Sequence, residues 1–477
     1  MTNALQALRD VRGRFAVIWV IPIMLAALVS FAPQILSDAD TFWHIAAGRW
    51  MIAHGAVPAT DPFSFTFAGQ PWMAHEWLSE VLMAGAWLAA GWSGVMLLTG
   101  LAVGAVAALS GAWLLRWLSP LSSVAALAVG LACVAPGMLA RPHLLALPLL
   151  AFWTIELLKA REAGRAPGLC LALVMVLWAN LHSSFIVGAG LAAALALEAL
   201  LDVKAWRRSA FIGWGAFLAA TGVATLATPH GIDGVLFPVR VLGMKALPTI
   251  AEWLPPDFMQ LSPLEIALLG GLFAAFWRGV RLSAVRALIL LGLIHVSLQH
   301  VRQEVLLGVV APLILAEPLG RALGRTGAAP VRWAMPLPQA ALGGALLAAA
   351  LVGRIAIAEV RVDGPTAPIT AFAHVPAALR SQPVLNDYNF GGYLIFQGVR
   401  PYIDGRADMY GDDFLAADDA LQNGDADRLK DTTSRYHIGW AILRPDLRLV
   451  GVLDQTPGWR RIYADKYAVV FINSPAP

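Results

Sequence analysis

Two aspartates, Asp38 and Asp40, stand just beyond the first long apolar run, in the stretch SDADTFWHIAAGRW. Carboxylates two residues apart in extended chain point the same way, so the pair can share a divalent cation with phosphate oxygens or act as base and orienter. The same two residues can instead cap the helix that the apolar spacing after Thr41 predicts, with Asp40 as its N-cap. His44 lies one helical turn after Asp40, and His75 and Glu76 offer metal ligands or a second acid/base pair across the same loop, or plain structural contacts. His54 and Asp61 belong to a helix end and a turn.

A second group is scattered along the chain. Arg141 and His143, His182, and Arg302 with His295 and His300 fall where one apolar run turns into the next. An arginine there can grip a phosphate with two parallel N–H bonds, or anchor the chain at a membrane interface; for the histidines anchoring is the plainer use. The loop 229–262 carries several prolines and is long enough for a lid. In it Glu252 could hydrogen-bond a carbohydrate and Trp253 stack on its face. Near the carboxy terminus Asp387, Tyr388, Gly391, Gly392, Asp404, Gly405, Arg406, Asp408 and Tyr410 form two polar, glycine-punctuated segments. These fit either a carbohydrate or cation site or a network that holds tight turns.

The elements that position these residues follow from composition. Of 477 residues 58% are hydrophobic and 14% charged, a mixture that cannot form a soluble core under a solvated skin. Runs long enough to cross ~30 Å of hydrocarbon begin near Phe15, Gly94, Leu121, His143, Pro167, Ser184, Ser209, Pro263, Ser283, Glu304 and Ala334, predicting a polytopic α-helical membrane protein of about eleven transmembrane helices. Lys and Arg set the orientation. With the amino terminus, bearing Arg9, Arg12 and Arg14, in the cytoplasm, the inner connections hold Arg116; Lys159, Arg161 and Arg165; Lys204, Arg207 and Arg208; Arg278, Arg281 and Arg286; and Arg321, Arg325 and Arg332. Basic clusters on both sides of 167–201 make that stretch a hairpin turning at 180–184.

The division expected is therefore 1–354 in the membrane, with outer loops 37–93 and 229–262, and 355–477 as a soluble extracytoplasmic α/β domain. In that domain Gly439 to Leu443 and Tyr467 to Asn473 read as strands and Phe414 to Leu429 as helix. In the first loop, Trp43 and Trp50 suit a helix lying along the interface. A net charge of +3, with basic residues in short clusters, gives no reason to expect nucleic acid as a partner. Cys133 and Cys170 lie in apolar segments and suggest neither a disulfide framework nor a thiolate metal site.

One span followed by a large outer loop that opens with Asp-x-Asp resembles the GT-C class of membrane glycosyltransferases, through the layout and Asp38 and Asp40. The chain also looks like a group of uncharacterised bacterial membrane proteins sharing DxDTFWHIAxG (38–48), RPH (141–143), WANLH (178–182), NDYxxGGYL (386–394) and IDGRADMYG (403–411). No WWD-type motif occurs in the outer domain, which speaks against a peptide acceptor. The resemblance implies an enzyme of the bacterial cytoplasmic membrane that moves a sugar from a polyprenyl-phosphate donor to a glycan, lipid or protein acceptor on the outer face, with inversion. Asp38 or Asp40 would be catalytic, and Arg141 and Arg302 would hold the donor phosphate. The class divides over a divalent cation; where Mg or Mn takes part, Asp38 and Asp40 are its ligands. The rivals are a lipid or oligosaccharide flippase and a non-catalytic subunit of an envelope polysaccharide system. Against a flippase stand the lack of charges buried mid-span and of an inverted repeat.

Overall fold

The computed structural model describes residues 13–202, 208–329 and 337–473. Arg9, Arg12, Lys204, Arg207, Arg332 and the start expected at Ala334 lie outside them. Helices begin within a few residues of most expected starts, and local sequence explains why. Ser119, Ser262 and Ser283 each turn a hydroxyl onto the N–H three residues on, opening the helices Pro120–Val134, Pro263–Arg278 and Ala284–Gln299. In the first two a proline follows at N1, where its missing N–H leaves no bond unmade.

Among the described residues five helices are long and apolar enough to cross a membrane: Gly13–Ser30, Trp77–Trp117, Pro120–Gly137, Pro142–Glu162 and Val301–Ala322. Four shorter apolar helices accompany them: Leu169–Leu181, Phe185–Leu201, Ala284–Gln299 and Ala341–Ala356. The expected start at Gly94 falls inside the helix Trp77–Trp117, whose backbone breaks at Ala90 and Gly91.

The chain forms two compact units. The first takes the chain up to Ala32, Met96–Pro238 and Pro248–Ile357. Its helices approach to backbone contact: a Cβ on Gly130 would lie 2.5 Å from the Gly308 carbonyl oxygen, and one on Gly308 would lie 2.5 Å from that of Gly130. Small residues at such crossings are how helices pack where no water drives them together. The predicted hairpin is present as Ala172–Leu181 and Phe185–Leu201. Its turn is closed by Ser184 N–H donating to His182 Nδ1 at 3.0 Å and by Trp178 Nε1 donating to Ser184 Oγ at 3.0 Å.

Several arginines of the expected inner connections are ion-paired in this unit. Glu198 joins Arg161 and Arg286 at 3.0 Å each, Glu317 joins Arg286 at 3.1 Å and Arg321 at 2.6 Å, and Arg116 meets Glu162 at 2.6 Å.

The second unit takes Pro33–Val95, Val239–Leu247 and Ala358–Pro477, so the first loop folds with the carboxy-terminal segment. A four-stranded sheet, β1 (Val384–Asn386), β2 (Trp440–Leu443), β3 (Trp459–Ala464) and β4 (Val469–Asn473), runs in the order β1-β2-β4-β3. β1 and β2 are parallel, the other pairs antiparallel. Both expected strands are there. The single helix expected over Phe414 to Leu429 is instead two, Ala407–Gln422 and Ala426–Tyr436, parted at Gly424, whose φ of 95° favours glycine.

In the helix Asp40–His54, Phe42, Trp43, His44, Ile45, Ala47 and Met51 are buried in protein, while Arg49 and Ile52 stay exposed. The loop 229–262 holds the helix Gly231–Leu242 and short turns at Leu247–Thr249 and Ala251–Trp253.

Candidate functional site

Candidate residues gather in two places, one in each unit. In the first unit, Arg141 precedes Pro142 as the N-cap of Pro142–Glu162, in extended backbone and making no cap bond with its side chain. That extended geometry is what a residue before proline adopts. Arg302 sits on the short turn Val301–Gln303 before Glu304–Ala322. Both guanidiniums reach one carboxylate: Arg141 Nη1 donates to Glu252 Oε2 at 2.5 Å and Arg302 Nη1 to Glu252 Oε1 at 2.7 Å.

Glu252 is carried by the three-residue turn Ala251–Trp253, which is tied down beside Arg302. Val301 N–H donates to the Leu254 carbonyl at 3.0 Å, His300 Nδ1 meets the Trp253 carbonyl at 2.7 Å, and the Arg302 guanidinium lies 4.4 Å over the Trp253 ring. Burial would raise the Glu252 carboxyl, but Arg141 and then Arg302 outweigh it and hold it down to about 2. The three charged side chains are only partly covered, at 16% exposure for Arg141, 28% for Arg302 and 29% for Glu252, so an outside anion can reach them. His143 turns Nε2 to the Gly137 carbonyl at 2.8 Å, and its ring lies 6.1 Å from that of His182.

In the second unit, Asp38 and Asp40 are both half-buried. Asp40 is not the N-cap: it is the first residue of its helix, and Asp38 Oδ1 accepts its N–H at 2.7 Å. Asp40 Oδ1 accepts from Trp43 Nε1 at 2.9 Å and lies over the α-carbon of Gly405, where a Cβ would come within 1.9 Å of it. A Cβ on Gly392 would likewise meet the Ala39 carbonyl oxygen at 2.4 Å. The NDYxxGGYL and IDGRADMYG runs thus close on the start of the DxDTFWHIAxG helix, at Ala39 and Asp40, and their glycines are what lets backbone come so close.

Behind Asp40 the loop supplies a polar chain. His44 Nδ1 meets Glu80 Oε1 at 3.2 Å and its Nε2 lies 3.9 Å from Glu76 Oε2, while His75 Nε2 lies 3.6 Å from Glu76 Oε1. Burial lowers the His75 imidazole, yet Glu76 and Asp408 together leave it above its ordinary value. Asp408 is raised by burial against the pull of His75 and Arg406. Among the described residues no group of three or more His, Cys, Asp or Glu is placed to hold a metal ion.

Asp404 and Arg406 have their polar atoms committed inside the protein. Arg406 donates Nε to Asp404 Oδ1 at 2.8 Å, Nη2 to Asp404 Oδ2 at 2.7 Å and Nη1 to Asp61 Oδ1 at 2.6 Å, and Tyr410 donates to Asp404 Oδ2 at 2.7 Å. The guanidinium lies over the rings of Trp72 and Phe63, and Asp61, Asp404 and Arg406 are all buried. Asp387 accepts from Asn389 N–H and from Arg444 Nε at 3.1 Å, while Tyr388 packs on the core beneath the sheet.

Sequence reasoning missed three partners. Glu80 is the strongest omission with a local signal, since it lies in the first turn of the helix that opens just after Glu76. Asp61 as the partner of Arg406 and Glu252 as the partner of both arginines left no local trace.

No protein-family profile and no curated protein matches the sequence. Solved structures do match in fold. ArnT from Cupriavidus metallidurans, bound to undecaprenyl phosphate, aligns with a TM-score of 0.53 at 15% identity over 96% of this chain and 98% of its own. The Archaeoglobus fulgidus oligosaccharyltransferase in the apo form aligns at 0.52 and 11% identity, over 89% of this chain and 69% of its own. The arabinofuranosyltransferase AftD from Mycobacteria aligns at 0.50 and 14% identity, over 96% of this chain and 41% of its own. All three are GT-C glycosyltransferases, and this chain has their membrane fold.

Proposed function

We propose that this chain, having the GT-C fold, transfers a sugar from a polyprenyl-phosphate-linked donor to an acceptor at the outer face of the bacterial cytoplasmic membrane. The observation that carries the reading is the convergence of Arg141 and Arg302 on a single carboxylate, an arrangement suited to an anion with two or more oxygens. The undecaprenyl phosphate in the ArnT structure supports the donor class.

In the reaction, the bond between the anomeric carbon and the donor phosphate oxygen breaks as the acceptor oxygen attacks from the opposite side. Asp38 or Asp40 takes the acceptor's proton, and the two arginines stabilise the charge gathering on the leaving phosphate. One displacement with one base inverts the anomeric centre. Asp40 suits the base, because its Oδ1 is already positioned by Trp43 and by the backbone of Gly405, while Asp38 holds the backbone that carries it. The histidines and carboxylates from His44 to Glu80 set the charge behind it. If the reaction uses Mg or Mn, Asp38 and Asp40 are the residues that would hold it; no step above runs through it.

Lipid extracts of cells expressing wild type, Asp40→Asn or Arg141→Ala test the reading by mass spectrometry. Depletion of a polyprenyl-phosphate sugar by wild type, and its sparing by both variants at equal expression, is the expected result. Equal levels in all three strains would overturn it.

A further inference from the structure

The carboxylate of Glu252 occupies the place between Arg141 and Arg302 where two oxygens of a phosphate would bind. It bridges the two guanidiniums with one oxygen each, at 2.5 and 2.7 Å, and so presents the geometry of a phosphate with two of its oxygens engaged. From this we infer that Glu252 is an internal substitute for the ligand's phosphate, displaced when a phosphate monoester or diester binds. The inference rests on the proposed phosphate-binding role of the arginine pair.

Two observations favour exchange over a permanent bridge. The glutamate rides on a turn of three residues, Ala251–Trp253, and not on a long helix. The turn's anchors to the Arg302 side are all made by other atoms: the Trp253 ring and carbonyl and the Leu254 carbonyl. The Glu252 side chain can therefore rotate away without releasing its backbone. Its occupancy meanwhile keeps two like charges from repelling and holds the arginines in the spacing a phosphate needs.

The cost of displacing Glu252 lowers apparent affinity, so removing its charge should raise it. Binding of inorganic phosphate and of undecaprenyl phosphate, with undecaprenol as the uncharged lipid control, would be measured on purified wild type, Glu252→Gln, Glu252→Asp and the double variant Arg141→Ala/Arg302→Ala. Glu252→Gln keeps the shape of the side chain, and its unliganded melting temperature reports whether it folds. The expected result is phosphate binding tighter by roughly tenfold in Glu252→Gln, an intermediate effect in Glu252→Asp, whose shorter side chain cannot bridge both arginines, and loss in the double variant. Tightening for undecaprenyl phosphate alone assigns the site to the lipid headgroup, and tightening for both ligands assigns it to phosphate as such. Weaker binding in a folded Glu252→Gln would overturn the displacement while leaving the arginine site standing. Phosphate binding that is indifferent to loss of both arginines would overturn the site itself.

Discussion

Arg406 Nη1 donates to Asp61 Oδ1 at 2.6 Å, across 345 residues of chain, and both side chains are buried. The pair fastens the first loop to the carboxy-terminal segment within the second unit. Removing Arg406 leaves Asp61 and Asp404 buried without their counter-charge, so Arg406→Ala should cost about 3–5 kcal/mol, and Asp61→Ala less, because Asp404 still pairs with the guanidinium. Thermal unfolding should show this as a drop of several degrees. An unchanged melting temperature would contradict the structural role of the pair.

Gly405 leaves room for Asp40 in a way no other residue can. A Cβ there would approach Asp40 Oδ1 to 1.9 Å, so Gly405→Ala must push the carboxylate away from Trp43. We expect sugar transfer to fall by at least as much as in Asp40→Asn, with the sheet and its melting behaviour kept. Full activity in Gly405→Ala would mean that the position of Asp40 is immaterial.

Asp418 gives a pH dependence with a definite sign. Burial, helped by Asp387 and Asp419 and opposed by the Gln422 hydrogen bond, pushes its carboxyl up from 3.8 to about 7. The folded state therefore favours the protonated acid. Its contribution is complete below the unfolded value and is lost as pH rises toward and through about 7. On the order of a few kcal/mol is at stake. Melting curves at pH 5 and pH 8 should show this fall in wild type and a smaller one in Asp418→Asn. A wild type as stable at pH 8 as at pH 5 would contradict it.

Chelation separates the two ways of neutralising a phosphate. Because two guanidiniums already meet at one point, phosphate binding should survive EDTA unchanged. Loss on chelation, restored by Mg or Mn, would give the phosphate's charge to a cation instead.

Much of the membrane half was legible because its signals are local. Apolar runs mark helices, and Ser-x-x patterns such as 119–122 and 262–265 mark where they begin. The strands near 440 and 470 were legible for the same reason. What the sequence hid was pairing at a distance: Glu252 with Arg141 lies 111 residues apart, and Asp61 with Arg406 is spread over most of the chain. The burial of the helix Asp40–His54 was hidden too, since a helix with tryptophans beside apolar residues reads alike whether lipid or protein covers it. Asp38 and Asp40 were found by type and spacing, but their division of labour, one holding backbone and one lying over Gly405, needed coordinates.

If the arginine pair binds a polyprenyl-phosphate-linked sugar, that ligand protects the protein against thermal unfolding. A ligand that binds only the folded protein raises its melting temperature by mass action. Purified wild type, Arg141→Ala, Arg302→Ala and Asp40→Asn would be heated with undecaprenyl phosphate, with undecaprenyl-phosphate sugars and with undecaprenol. Stabilisation of wild type by the phosphorylated lipids, and most by one sugar-linked form, is expected, with its loss in either arginine variant and its retention in Asp40→Asn. No shift with any polyprenyl phosphate at saturating concentration would contradict it.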